Sequence, residues 1–124
     1  MIKDCTLIEA LYCKETDTVK DVAQLLRQHL IRYVYVTNDH LEPVGVISIT
    51  DINNRAVAEG KDPNSTTAQD IMSSPITSFD EQEDARTVYK ACIDNKFPTC
   101  PITRDRKIIG IITIQELLRK VTHL

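Results

Sequence analysis

Two short stretches of the sequence each place a carboxylate three residues after a hydroxyl. The stretch GVISITDI holds Ser48 and Asp51, and GIITIQEL holds Thr113 and Glu116. An ionised carboxylate can accept two hydrogen bonds at once, so it could bind a ligand that has hydroxyl groups. The same spacing is that of a capping box, which stabilises a helix start by about 1 kcal/mol without any ligand. Both roles stay open on local pattern alone, and one carboxylate can serve both.

Basic residues near these carboxylates could neutralise a phosphate. Arg55 follows Asp51 by four residues, and Lys120 follows Glu116 by four. The alternative is that these are exposed helix ion pairs, which are worth about 0.2–0.5 kcal/mol each. Further candidate phosphate contacts are Arg32, Lys96, Arg104, Arg106 and Lys107.

The other reactive side chains form no catalytic pattern. There is no P-loop, no G-x-G-x-x-G and no nucleophile motif around a serine or cysteine. His29, His40 and His123 are scattered along the chain. We therefore predict that the chain is not an enzyme, has no catalytic residue, binds no metal and requires no cofactor.

The cysteines also lack a zinc-binding spacing. We expect free, largely buried thiols, with a metal or redox site as the alternative. The four are Cys5, Cys13, Cys92 and Cys100.

Composition narrows the class of protein. The chain has 124 residues, a net charge of −3 and 42% hydrophobic residues. The acidic balance makes nucleic-acid binding unlikely. No apolar run is long enough to span a bilayer, and the first ten residues, MIKDCTLIEA, do not read as a signal peptide. We expect no membrane association and a cytoplasmic location.

The elements that would position the two carboxylates follow from hydrophobic periodicity. TVKDVAQLLRQHL predicts a helix capped by Thr18, with an apolar stripe that runs from Val19 to Leu30. RYVYVT and VGVISI predict strands on either side of a turn, the second one buried on both faces. TDINNRAVAEG then predicts a short helix closed by Gly60.

The same order returns in the second half. TAQDIM predicts a helical turn and ITSF an extended piece, and DARTVYKACIDN predicts a helix capped by Asp84. TCPITR and IIGIIT predict strands, with Pro101 near a strand start or on an edge. IQELLRKVTHL predicts the closing helix.

The two halves match at an interval of 65 to 66 residues. Val22 corresponds to Val88 (88 − 22 = 66), and Gly45 corresponds to Gly110 (110 − 45 = 65). We predict a duplicated subdomain with a first repeat at 1–60, a linker at 61–66 and a second repeat at 67–124. Together they would form one compact module.

With these features the sequence resembles a tandem pair of CBS domains (cystathionine β-synthase-type repeats), known as a Bateman module. The paired G-h-h-[ST]-x-x-[DE]-[IL] motifs, AQDIMSSPITSF and NKFPTCPIT carry the resemblance, which covers nearly the whole chain. Only the opening IKDCTLIEALYC departs, because Cys5 and Thr6 replace the usual Ile-Met. The resemblance implies an α/β (α+β) fold of two β-α-β-β-α-type repeats related by a pseudo-two-fold axis. Their sheets would pack face to face with the helices outside.

The resemblance also implies a regulatory module that binds an adenosine-containing ligand in the cleft between the repeats. AMP, ADP, ATP or an S-adenosylmethionine-like molecule would fit this class. Asp51 would hold the ribose and Ser48 would line the same cleft, and Glu116 should bind more weakly because it is about 1–1.5 Å longer. The other implied contacts of the first set are Leu11, Tyr12, Ile31, Arg32, Tyr33 and Val46. The second set is Ile76, Thr77, Lys96, Phe97, Pro98, Thr99, Ile111, Thr113 and Glu116.

A purely structural module is the alternative function. The repeats would then mediate homodimer or partner assembly, and Ser48 and Asp51 would serve as helix caps. The resemblance implies a homodimer in either case, and a regulated protein partner is compatible with both.

Overall fold

The computed structural model describes residues 1–122, and the chain divides into two compact units. The central unit is Leu11–Ile76. The split unit joins Met1–Ala10 to the chain from Thr77 onward. His123, which the sequence analysis placed in the closing helix, and Leu124 lie outside the described residues.

The central unit is built on a three-stranded sheet in which the middle strand is parallel to one neighbour and antiparallel to the other. Its elements are β1 (Tyr12–Lys14), α1 (Val19–His29), β2 (Tyr33–Thr37), β3 (Pro43–Ser48), α2 (Ile49–Ile52) and α3 (Ala68–Ile71). The sheet order is β1-β2-β3. Val22, Val34 and Ile47 lie in the buried cluster that joins α1 to the sheet.

Helix α1 begins as predicted but ends differently. The Thr18 side chain accepts a hydrogen bond from the Asp21 N–H at 3.2 Å, which confirms the predicted cap. Leu30 was predicted to continue the apolar stripe, and that is wrong. It adopts φ 54° at the helix end and is 91% exposed. The Ile31 N–H bonds to the Leu26 carbonyl, so the helix closes with a left-handed residue of the kind that usually is glycine.

The split unit repeats the architecture. Its elements are a 3₁₀ turn (Ile2–Asp4), β4 (Phe79–Asp80), α4 (Ala85–Asn95), β5 (Thr99–Arg104), β6 (Lys107–Thr113) and α5 (Ile114–Thr122). The sheet order is β4-β5-β6. Asp84 caps α4 as predicted, because its side chain accepts a hydrogen bond from the Arg86 N–H. The core includes Ile2 from the start of the chain and Val88, Ile102 and Leu117 from its second half.

Three strand predictions need correction in detail. Strand β3 is buried on one face, through Gly45 and Ile47, and only half-buried on the other. The extended piece predicted at ITSF is a strand of two residues that begins at Phe79. Pro101 lies near the start of a strand, as predicted, but that strand is the middle one.

Strand β5 can contain Pro101 because of the position at which this residue pairs with β6. Pro101 pairs with Ile111, whose N–H and C=O both bond to Ile8 instead. Pro101 therefore faces β6 at a non-hydrogen-bonded position, where its missing N–H removes no bond to β6.

The predicted mixed α+β fold is confirmed. Each unit holds one three-stranded sheet and its helices, in the predicted β-α-β-β-α order. The units are offset from the sequence repeats, because residues 1–10 belong to the split unit and residues 67–76 to the central unit. The predicted domain boundaries at 60 and 67 remain a description of the repeats.

Candidate functional site

Asp51 lies in the first turn of α2, where strand β3 gives way to the helix. The Ser48 N–H donates to Asp51 Oδ2 at 2.8 Å, and the Asp51 N–H donates to Ser48 Oγ at 3.1 Å. This is a complete capping box, so the structural role predicted for the motif is confirmed. The Asp51 side chain is 16% exposed, which leaves part of the carboxylate accessible.

The segment Ile31–Tyr33 lies beside this helix start. The Ile49 N–H donates to the Arg32 carbonyl at 3.0 Å. Tyr33 pairs with Ser48 across the sheet. The structure thus brings the predicted contacts Arg32, Tyr33, Ser48 and Asp51 together.

Arg55 connects the turn after α2 to the C-terminal end of α3. Its Nη1 donates to the carbonyls of Ile71 and Met72 at 3.2 and 3.1 Å, and its Nε lies 3.8 Å from Asp51 Oδ1. The chain is π-helical over Asn53–Val57, where the Ala58 N–H bonds to the Asn53 carbonyl. The short helix predicted here therefore exists, but it widens into a π turn before Gly60.

Glu116 occupies the corresponding position in the split unit with different partners. Thr113 Oγ1 accepts from the Glu116 N–H at 3.2 Å, which is half of a capping box. The carboxylate does not complete the box. It accepts from the Thr6 N–H at 2.7 Å and from Arg119 Nε and Nη2 at 2.9 and 2.8 Å.

These donors fix both the charge state and the direction of the Glu116 carboxylate. The Arg119 guanidinium and then the Thr6 N–H lower the pKa of Glu116 from its ordinary value of 4.5. The ion pair predicted between Glu116 and Lys120 is wrong, because Arg119, one residue nearer, takes the carboxylate in a bidentate fork.

The backbone around the second motif matches that of the first. The Ile114 N–H donates to the Pro98 carbonyl at 3.0 Å, as Ile49 does to Arg32. Thr99 pairs with Thr113 across β5 and β6. Lys96 ends α4 with φ 59°, just as Leu30 ends α1. Of the predicted contacts, Pro98 and Thr99 therefore lie next to Thr113, and Lys96 and Phe97 precede them in the chain.

Both predicted strand contacts, Val46 and Ile111, pair along the edge of their sheet. Val46 exchanges two backbone hydrogen bonds with Ser73, and Ile111 exchanges two with Ile8. The neighbouring glycines permit these approaches. A Cβ on Gly110 would lie 3.0 Å from the Ile8 carbonyl, and one on Gly45 would clash with the Met72 side chain.

The remaining predicted contacts lie at or just before β1, or at the unit boundary. Leu11 packs partly buried on the central core, and Tyr12 is exposed on β1. Ile76 ends the central unit and Thr77 begins the second segment of the split unit.

The basic turn lies at the other end of β6 from Thr113. Six residue steps along the strand correspond to roughly 20 Å. Arg104 forms a bidentate pair with Glu81 at 2.8 and 2.9 Å, and Arg106 and Lys107 are exposed. This distance separates the three candidate phosphate contacts from Glu116.

Sequence reasoning missed two partners of Glu116. The i,i+3 spacing from Glu116 to Arg119 is as favourable as the i,i+4 spacing to Lys120, so that signal was present. Thr6 is 110 residues away in sequence, and its backbone N–H carries no signal at all.

The cysteines are free thiols, and Cys13, Cys92 and Cys100 are buried. Within residues 1–122, no group of three or more His, Cys, Asp or Glu is arranged to hold a metal. Across the same residues, no helix has the length and apolar character needed to cross a membrane.

Comparisons with known proteins agree with this architecture. The model of the CBS domain family matches residues 2–57 and 68–123. An uncharacterized protein of Methanopyrus kandleri is 34% identical over 110 residues, which are 88% of this chain and 56% of that protein. The chain therefore spans about half the length of this curated relative.

Two solved structures share the fold. Hypoxic Response Protein I, described with two coordinated zinc ions, has a TM-score of 0.77 at 22% identity, covering 95% of this chain and 96% of that one. The CBS domain pair of protein MJ0100, in complex with 5-methylthioadenosine and S-adenosyl-L-methionine, has a TM-score of 0.72 at 22% identity, covering 99% and 96%. Two family matches, two sheets and two strand-to-helix motifs coincide, and the chain belongs to the CBS domain family as a tandem pair of repeats.

Proposed function

We propose that this CBS pair is a regulatory module that binds an adenosine-containing ligand at Asp51. CBS pairs are typically regulatory rather than catalytic. The bound 5-methylthioadenosine and S-adenosyl-L-methionine of the MJ0100 pair support the ligand class. In this proposal the ligand is an adenine nucleotide or an S-adenosylmethionine-like molecule, and the module acts in the cytoplasm.

One observation carries the choice of Asp51. Among residues 1–122, the Asp51 carboxylate accepts a single protein hydrogen bond, whereas Glu116 accepts three. A carboxylate oxygen accepts more than one hydrogen bond, so Asp51 keeps capacity for the two hydroxyls of a ribose. Glu116 would have to give up Arg119 or Thr6 first. We therefore expect one strongly bound adenosine ligand per chain.

The neighbouring groups suit the rest of such a ligand. Tyr33 offers an aromatic ring beside Ser48, and it stacks edge-on with Tyr35 at a centroid distance of 5.9 Å. The exposed Arg32 and Arg55 supply positive charge near Asp51. These cations would favour a ligand that carries phosphate or another anionic group.

Calorimetric titration tests the proposal with S-adenosylmethionine, 5-methylthioadenosine, AMP, ADP, ATP and NAD. Asp51→Asn keeps an oxygen that can accept from the Ser48 N–H but loses the charge. We expect it to weaken binding by at least about tenfold, because hydrogen bonds to charged groups are worth about 1.5–3 kcal/mol. Glu116→Gln is the matched control and should leave the affinity nearly unchanged.

Ser48→Ala separates capping from binding. It removes the hydroxyl half of the capping box but leaves the Asp51 carboxylate, so it should lower stability more than affinity. The absence of saturable binding at millimolar concentrations of all six ligands would sink the proposal. So would equal affinities of the wild type and Asp51→Asn.

A structural dimerisation or partner-docking module is the second candidate. The helix after the last strand of each unit leaves apolar side chains exposed, namely Ile49 at 54% and Leu118 at 47%. Val57, in the π turn, is exposed as well. Mass measurement in solution discriminates the two functions, because a homodimer that ignores all adenosine ligands favours the structural one.

A further inference from the structure

The thiols of Cys92 and Cys100 lie in direct contact inside the split unit. Their Sγ atoms are 2.8 Å apart, closer than two sulfur atoms in ordinary van der Waals contact. Both residues are only 1% exposed. We propose that Cys92 and Cys100 form a reversible disulfide site, at which a small disulfide oxidant such as oxidised glutathione joins them.

Regular secondary structure holds both cysteines in place. Cys92 lies in the last turns of α4, and Cys100 is the second residue of β5. The Phe97 N–H bonds to the Cys92 carbonyl at 2.9 Å, and Cys100 pairs with Ile112 on β6. The contact between the sulfurs is therefore set by a helix end and a sheet register rather than by a mobile loop.

The disulfide would link the two ends of the short segment between Cys92 and Cys100. That segment holds Lys96, Phe97, Pro98 and Thr99, the predicted ligand contacts of the second repeat. Oxidation would thus lock the backbone beside Thr113, while the Asp51 site belongs to the other unit. The inference does not depend on the proposed ligand at Asp51.

The chemistry is two successive thiol–disulfide exchanges. One cysteine loses its proton and attacks oxidised glutathione, which forms a protein–glutathione disulfide and releases one glutathione. The second cysteine attacks that mixed disulfide, so that the Cys92–Cys100 bond forms and a second glutathione leaves. Two protein thiols are oxidised, and one glutathione disulfide is reduced to two thiols.

Burial makes thiol–disulfide exchange at Cys92 and Cys100 slow. Burial, and after it the hydrogen bond that Cys100 shares with Cys92, raise the pKa of Cys100, so little thiolate is present at neutral pH. Small oxidants reach the pair only when α4 opens from the sheet. The site would therefore record prolonged oxidising conditions, and reduction of the disulfide would be equally slow.

Peptide mapping tests the site directly. Trypsin cuts after Lys90, Lys96 and Arg104, so the two cysteines fall in separate peptides, 91–96 and 97–104. The full chain is equilibrated in buffers with rising ratios of oxidised to reduced glutathione, trapped with N-ethylmaleimide in denaturant and digested. We expect the peptides to appear joined at oxidising ratios and separate again after dithiothreitol.

Two measures keep the outcome decisive. In a second series, the protein is unfolded and then refolded in each buffer. The cysteines are then exposed to glutathione before they become buried. The double variant Cys5→Ala/Cys13→Ala should still form the linked peptide, and Cys100→Ala should not. Recovery of Cys92 and Cys100 as free thiols at every ratio, by both routes, would overturn the proposal. Preferential linkage of either one to Cys5 or Cys13 would do the same.

Discussion

Asp51 and Glu116 stand at equivalent positions, but the protein uses their carboxylates differently. Asp51 completes its own helix cap, whereas Glu116 reaches past its cap to Thr6 and Arg119. The additional methylene of Glu allows that reach, since it extends the carboxylate by about 1–1.5 Å. The Glu116 carboxylate therefore holds parts of the split unit together, whereas the Asp51 carboxylate keeps free acceptor capacity.

The contribution of the Glu116 carboxylate to stability should depend on pH. The pKa of Glu116 is lowered in the folded protein, so its stabilising effect is complete above the ordinary value of 4.5. That effect is lost as the pH falls from 4.5 through the folded pKa. Glu116→Gln should therefore lower the melting temperature at pH 7 and approach the wild type in acid.

Thermal unfolding between pH 7 and pH 3 measures this difference. Lys120→Ala is the matched control, because Lys120 was the predicted partner and Arg119 is the observed one. It should change the melting temperature less than Arg119→Ala does. A gap between the wild type and Glu116→Gln that widens in acid would contradict the assignment.

At the scale of elements, the two long helices end in the same unusual way. Leu30 and Lys96 have φ values of 54° and 59°, a conformation that suits glycine. In both units the next residue bonds back to the last helical turn, and the chain enters the segment beside the capping motif. Leu30 and Lys96 thus set the direction in which the chain enters the segments that hold the predicted ligand contacts. Their left-handed conformation costs backbone energy.

Replacing one of these residues should therefore stabilise the protein. Leu30→Gly relieves the left-handed strain and removes an exposed apolar side chain, so we expect a gain of about 0.5–1 kcal/mol in the free energy of unfolding. Gln28→Gly, an exposed substitution within α1, should instead lose about 0.5–1 kcal/mol. Urea denaturation compares the two variants, and a loss for Leu30→Gly as large as that for Gln28→Gly would refute the strain argument.

At the scale of the whole molecule, the units of structure are not the units of sequence. Ile2 belongs to the first repeat but is fully buried in the core of the split unit with Val88 and Leu117. Ile71 belongs to the second repeat but is fully buried in the central core. Each repeat therefore contributes a hydrophobic anchor to the unit formed mainly by the other.

This exchange predicts where single substitutions act. Ile2→Ala should cost about 2–5 kcal/mol and reduce amide protection in residues 77–122, far along the chain. Ile71→Ala is the reciprocal variant and should reduce protection in residues 11–60. Native-state hydrogen exchange distinguishes the two regions. Loss of protection that follows the repeats, with Ile2→Ala affecting 11–60, would contradict this division.

The helix starts could be predicted from the sequence, because they depend on the spacing of neighbouring side chains. The spacing of capping side chains indicates three helix starts, and the observed caps match these predictions. The caps are Thr18, Asp84 and the Ser48–Asp51 box. The Leu30 cap was missed because its apolar side chain fits the helical stripe, while the backbone conformation that exposes it leaves no trace in composition. The Glu116–Thr6 bond and the Cys92–Cys100 contact were missed because both depend on tertiary packing.

The division of the split unit has a consequence for synthesis. Ile8 leaves the ribosome 103 residues before its strand partner Ile111 (111 − 8 = 103). At about 5–20 residues per second, Ile8 and its apolar neighbours wait roughly 5–20 s for that partner. Over the same interval the central unit is completed from one continuous stretch. The central unit should therefore fold before the two segments of the split unit can pair.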